Sequence, residues 1–205
     1  MSKILYYHQQ SHFSRKIRIL LIEKKIAHNL EEIDLLNKPS EFIEISPIGK
    51  VPVFVDEDRV IWDSTLIAEY IEGKYPNPPF YPSNYRDNLE CRKCEQIADH
   101  LGDTIMNLWI FNLVTNSNSS YYSSSLHKSI KRIFNLFEQR LSKSQYILGG
   151  DNWTIADISA LCSFGYYNLR FDEDWKLEYK AIKSWFEQLH EIESVKSTIP
   201  QPIDR

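Results

Sequence analysis

The hydrophobic positions follow two regimes along the chain. At the amino end short apolar runs alternate with helical stretches. Residues 3–7 (KILYY) are apolar and aromatic and predict a strand. A polar loop, HQQSH, follows. From Ser14 the spacing becomes helical, with Ile17, Leu20, Leu21 and Lys24 on one face and Arg15, Lys16 and Glu23 on the others. Ser14 abuts that period and is the expected N-cap. Residues 30–35 predict a second strand and residues 40–45 a short helix. Residues 50–55 predict a strand with Pro52 at its entry. Residues 59–61 predict another, joined to it by the acidic turn of Asp56, Glu57 and Asp58. A third helix starts at Asp63 or Ser64. Its apolar stripe is Leu66, Ile67, Tyr70 and Ile71, and Pro76 bounds it. The order is β-α-β-α-β-β-α. A helix crossing between parallel strands implies a right-handed unit, and the closing hairpin implies a mixed sheet.

Pro76, Pro78, Pro79 and Pro82 fall within seven residues. They stiffen the chain and forbid helix, which marks a domain boundary. Beyond it the period is helical. Ile97, Leu101, Ile105 and Trp109 advance by fours, and Leu126, Ile130, Ile133, Phe134, Phe137 and Leu141 share one face of the next helix. Residues 116–125 (NSNSSYYSSS) are of low complexity and predict a solvated loop. The expected division is an α/β domain over residues 1–78, a linker over 79–86 and an all-helical domain over 87–205.

Composition narrows the function. The chain has 205 residues, 42% hydrophobic and 25% charged, as an ordinary globular protein has. Its net charge of −4 carries no long basic block, which argues against direct nucleic-acid binding. No leader-like apolar segment follows Met1, and no run approaches the length of a membrane span, so a cytoplasmic protein without a membrane partner is expected. Three cysteines cannot all pair, which fits a reduced compartment. Cys91 and Cys94 sit within a helical pattern and lack the second pair a zinc site needs. The six histidines have no metal-ligand spacing, so no metal is expected. Aromatic residues make up 13%, above the usual level, which points to a binding cleft or a subunit interface.

Four stretches, taken in order, resemble the cytosolic glutathione transferases. They are SHFSRKIR from Ser11 to Arg18, SPIGKVP from Ser46 to Pro52, WDSTLIAEY from Trp62 to Tyr70, and YILGGDNWTIAD from Tyr146 to Asp157. Each is modest alone; their order and spacing carry the resemblance over nearly the whole chain. It implies a thioredoxin-like amino-terminal domain, an all-helical carboxy-terminal domain and a homodimer. It also implies glutathione as co-substrate and a small-molecule electrophile as acceptor.

That chemistry sets what the residues must do. A free thiol of pKa ~8.5 is only about 3% thiolate at pH 7. Lowering it by about two units favours the anion by roughly 2.7 kcal/mol. A hydroxyl donor and a helix N-terminus can supply this. Ser11 matches the activating serine of serine-type members; on its own pattern it is a loop or capping residue. Tyr7, and beside it Tyr6, match the tyrosine of other members. No cysteine stands at Ser11 or Phe13, where other classes have one. Val51-Pro52 matches the family's cis-proline, which aims the Val51 backbone at the cysteinyl part of glutathione. Asp63 and Ser64, at a helix start, match the γ-glutamyl site, although the family usually has Glu or Gln in place of Asp63. Lys38 and Lys50 match positions that bind the glycyl carboxylate, and Phe13 is a further candidate for binding glutathione. His12, Phe13, Trp109, Tyr121, Tyr122, Phe164 and Tyr167 are candidates for the electrophile pocket, which the resemblance places between the domains. Asp99 is a candidate for reaching the partner's glutathione. Thr154-x-x-Asp157 reads as a capping box and resembles the family's folding motif, a structural role.

A second resemblance competes. From Trp62 to Pro82 the chain is also similar to stringent starvation protein A, a non-catalytic relative that partners RNA polymerase. Asn77 stands where that protein has a histidine. The survival of Ser11, Val51, Pro52, Asp63 and Ser64 favours the glutathione enzyme.

Overall fold

The computed structural model describes residues 3–115, 121–171 and 175–201. The chain divides into two compact units, Met1–Pro79 with Glu193–Arg205, and Phe80–Ile192.

The first unit is a thioredoxin-like domain. Its elements are β1 (Ile4–Tyr7), α1 (His12–Glu23), β2 (Asn29–Glu32), α2 (Ser40–Ile45), β3 (Val53–Asp56), β4 (Arg59–Trp62) and α3 (Ser64–Lys74). The sheet order is β2-β1-β3-β4. β1 and β2 run parallel, while β3 is antiparallel to both β1 and β4. Strand alternation sorts the two faces. Leu5 pairs with Phe54, and Phe54 packs toward Tyr70 of α3. Tyr6 pairs with Val53, and both pack on the cluster of Phe42, Ile33 and Val51 at α2. All four residues of β2 are exposed, and its Glu31 and Glu32 put charge on an edge strand.

Helix α1 starts at His12, two residues before the expected Ser14. Ser11 is the N-cap, and its hydroxyl accepts from the Ser14 N–H at 3.2 Å. The Ser14 hydroxyl instead accepts from the His8 N–H at 3.4 Å and ties down the loop. His12 is accordingly a buried helical residue, where a loop position was expected.

The sequence division left the end of the chain in the helical domain. In the structure α8 (Glu193–Lys196) packs on α1, in the first unit. The buried Arg15 guanidinium donates to the Val195 carbonyl at 3.2 Å and to the Thr198 hydroxyl at 3.4 Å. Lys24 is also buried. Its ammonium donates to the carbonyls of Tyr75 and Pro78 and pairs with Glu72. The peptides before Pro52 and Pro78 are cis.

The second unit is helical: α4 (Tyr85–Val114), α5 (Tyr121–Leu141), α6 (Ile155–Arg170), a 3-10 turn over Trp175–Leu177 and α7 (Lys180–Leu189). Helix α6 is its core, with Ile155, Ile158, Leu161 and Phe164 fully buried. The Ser163 hydroxyl locks α6 to α4 through the Ala98 carbonyl at 2.7 Å. Glu138 of α5 caps α7 by accepting from the N–H groups of Ala181 and Ile182, each at 3.0 Å. The predicted loop over residues 116–125 is helical from Tyr121; residues 116–120 lie outside the described residues. Among the described residues, no helix is long and apolar enough to cross a membrane.

Candidate functional site

Register alone gathers the candidate residues of the first unit at one end of its sheet. Tyr6 pairs with Val53, and Val53 with Trp62, so the exit of β1, the entry of β3 and the exit of β4 stand side by side. Tyr7 pairs with Glu32, which brings the exit of β2 there too. The loop to Ser11 leaves from this end, Val51-Pro52 arrives at it, and Asp63-Ser64 opens α3 beside it.

Ser11 is half-buried at the start of α1. Its oxygen accepts one hydrogen bond, and its proton is committed to no described residue. A hydroxyl in that state can donate to an anion, at the positive end of a helix. Tyr7 differs. The Arg18 guanidinium covers its ring at 4.9 Å, and its hydroxyl lies near the Glu32 carboxylate. Burial, and then the charge of Glu32, push the Tyr7 hydroxyl above its ordinary pKa. Its hydroxyl thus faces a carboxylate whose charge opposes a second anion beside it. Tyr6 packs on Phe42, on the opposite sheet face.

The ladder between β1 and β3 ends at the Tyr6–Val53 pair, so Val51 lies outside it. Its backbone is positioned to pair with an extended peptide. Asp63 caps α3 with φ at +74°, a conformation costly for a residue with a Cβ. Its carboxylate accepts from the N–H groups of Thr65 at 2.9 Å and Leu66 at 3.2 Å. The next residue, Ser64, is 4% exposed, and neither its N–H nor its hydroxyl has a partner among the described residues. A helix N-terminus with a spare N–H and hydroxyl suits a carboxylate. The Lys16 ammonium, also buried, reaches the Thr65 hydroxyl at 3.5 Å and links α1 to the start of α3. Gly49 turns with φ at +60°, and a Cβ there would meet the Lys38 ammonium at 3.7 Å. Lys38 therefore lies over the residue before Lys50, and both lysines are exposed.

The pocket candidates separate by unit. His12 and Phe13 stack at 4.0 Å at the start of α1. In the helical unit, Phe164 is wholly buried against Phe134, Phe137, Trp175 and Trp185, which makes it core and removes it as a pocket wall. Tyr167 is 7% exposed and packs on Phe134 and Phe171. The Arg170 guanidinium lies 4.0 Å from the Trp109 ring centre. Tyr121 is 93% exposed, and Tyr122 meets Phe111 edge-on. Thr154 and Asp157 form a reciprocal capping box. Asp157 also accepts from the Ile147 N–H at 2.9 Å and the Trp185 indole at 3.1 Å. Cys91, Cys94 and Cys162 are buried and form no disulfide, and burial pushes Cys91 up to about 12. Among the described residues no group of His, Cys, Asp and Glu could hold a metal ion.

Comparison with known proteins decides the family. Residues 5–79 match the glutathione S-transferase N-terminal domain, and residues 95–188 match the C-terminal domain. The chain belongs to the glutathione S-transferase family. It is 30% identical to the GST-like protein YibF of Escherichia coli, over 93% of this chain and 95% of that one. It is 33% identical to a stringent starvation protein A homolog of Haemophilus influenzae, but the match spans only 45% of either protein. A glutathione S-transferase from Methylobacillus flagellatus, solved with glutathione bound, superposes with a TM-score of 0.92 at 25% identity, over 98% of this chain and 100% of that one.

Sequence reasoning missed the burial of Arg15 and Lys16. Their spacing places charge on the solvent faces of α1, but α3 and α8 both pack on this helix and leave little solvent face. Only a helix covered on several sides reverses that reading, and periodicity does not report coverage.

Proposed function

We propose that the protein is a glutathione transferase that uses Ser11 to activate the thiol. The observation that carries the reading is the set of unspent hydrogen-bonding groups at one end of the sheet. They are the Ser11 proton, the Val51 backbone beyond the ladder, and the N–H and hydroxyl of Ser64. Reduced glutathione needs those partners in that order. Its thiol takes the Ser11 donor, its cysteinyl backbone pairs with Val51 beside Pro52, and its γ-glutamyl carboxylate takes Ser64. Asp63 is close to the γ-glutamyl ammonium, and Lys38 and Lys50 attract the glycyl carboxylate. Phe13 sits beside the thiol, next to the incoming electrophile.

The chemistry is nucleophilic attack by the bound thiolate on a small electrophile. Ser11 stabilises the anion and remains protonated. The test is conjugation to a chromogenic aryl halide. Ser11→Ala is expected to lower turnover far more than glutathione affinity; unchanged turnover would remove Ser11 as the activator. The protein acts in the cytosol as a homodimer on this reading, and sedimentation at 24.3 kDa would refute the dimer.

The match to stringent starvation protein A homologues supports a second reading, a binding protein with a protein partner. The two readings separate on turnover, which a binding protein lacks.

A further inference from the structure

Ser11 closes a four-residue turn that opens at His8. The His8 carbonyl accepts from the Ser11 N–H at 2.9 Å. The His8 N–H donates to the Ser14 hydroxyl at 3.4 Å, and the His8 imidazole accepts at Nδ1 from the Gln10 N–H at 3.2 Å. We propose that His8 is a positioning residue for Ser11 and holds it only while the imidazole is neutral. The inference rests on the reading of Ser11 as the thiol activator.

The opening position of such a turn favours Asn, Asp and Ser, whose side-chain oxygen takes the N–H two residues on. Here Nδ1 takes it. A backbone N–H can only donate, so Nδ1 carries a lone pair and the imidazole proton lies on Nε2. Protonation sets a second N–H against that of Gln10. The turn then loses the contact that fixes the peptide before Ser11, and the serine hydroxyl loses its aim. A donor off its line stabilises a thiolate far less than a fixed one.

Charged groups surround the turn. Asp34, on the loop after β2, is held below the usual carboxylate range chiefly by Asn37 and Leu36, with a smaller share from His8. Glu32, at the end of β2, accepts from the Gln9 N–H at 3.2 Å. Arg18 of α1 covers the ring of Tyr7. Protonation of His8 gains attraction to Asp34 and loses the Gln10 bond, so the turn has two competing arrangements. His12 is a second histidine, at the start of α1, and a variant has to separate the two.

His8→Asn keeps an acceptor for the Gln10 N–H and removes the titration; His8→Ala removes both. The first readout is the Gln10 amide NMR signal of the full-length protein without glutathione. It is expected to shift across the imidazole range, roughly pH 5 to 8, in the wild type and to hold still in His8→Asn. The second is the turnover of the wild type divided by that of His8→Asn, in which the ionisation of the thiol itself cancels. The two are expected to agree within about twofold at about pH 7.5, and the ratio to fall about fivefold by about pH 5.5. His8→Ala is expected to be about fivefold below His8→Asn at both. A Gln10 signal that titrates alike in the wild type and His8→Asn, or a ratio that is flat with pH, overturns the proposal. A wild type without turnover overturns the transferase reading, and with it the coupling to Ser11, whatever the Gln10 signal does.

Discussion

Two helix starts use the same residue type and reach opposite ends. Asp63 caps α3 and accepts from two first-turn N–H groups, while Asp157, in the first turn of α6, accepts from the Thr154 cap and from groups outside the helix. At α6 the capacity is consumed. Asp157 is wholly buried and takes four donors, the Thr154 N–H and hydroxyl, the Ile147 N–H and the Trp185 indole. Burial still pushes its carboxyl up, so those donors are what keep the charge tolerable. At α3 the aspartate is exposed and takes two donors, and the Ser64 groups beside it are left over. The backbone there is also held in a costly conformation. A fully spent helix start builds a fold. A partly spent one, strained and next to other unspent groups, is what the proposed glutathione site rests on.

The largest expected effect breaks the spent end. Asp157→Ala orphans four donors, three of them on the main chain or indole around α6. It is expected to cost about 3 kcal/mol or more in urea unfolding. A loss under about 1 kcal/mol would show that the cap is not structural. Next comes the unspent end. Ser11→Ala is expected to lower the conjugation rate roughly a hundredfold, the rate equivalent of about 2.7 kcal/mol. Its stability loss, from the missing cap, is about 1 kcal/mol. Equal losses of rate and glutathione affinity would mean Ser11 binds without activating.

Ser64→Ala is expected to weaken glutathione about tenfold by calorimetry, with little change in stability. An unchanged Kd would free Ser64 from the γ-glutamyl role. The far end of the sheet offers a pH test of another spent group. Burial pushes the Asp56 carboxyl up, but Lys74, Lys3 and Tyr70 together hold it below the ordinary value. Its contribution is complete above the unfolded carboxylate's pKa and is lost as pH falls through the folded one. Lys74→Gln is therefore expected to flatten the acid limb of stability against pH, with glutathione binding untouched. The smallest effect is Tyr7→Phe. With the Glu32 charge beside its hydroxyl, its loss is expected to change turnover by no more than about twofold.

Much of this was legible in the residues. The order of strands and helices follows from alternation and helical period, and α2 falls on the expected residues. Asp63 and Ser64 announced themselves as a helix start, and Thr154 and Asp157 as a capping box. The boundary of α1 was not legible, because Ser11 and Ser14 are both good caps and the choice depends on which hydroxyl the His8 loop takes. Phe164 and Trp109 share the helical spacing of core and of pocket residues alike. What separates them is the aromatic cluster around Phe164 and the Arg170 guanidinium over Trp109, neither of which periodicity contains. The embrace of α1 by α8 depends on contacts about 180 residues apart in sequence, beyond any local pattern.

The central claim is that the unspent groups at the sheet end hold glutathione. Calorimetric titration of the purified protein with reduced glutathione tests it most directly. The account predicts saturable binding with one site per chain, weakened by Ser64→Ala. No heat of binding up to several millimolar glutathione would contradict it and turn the fold toward a protein partner.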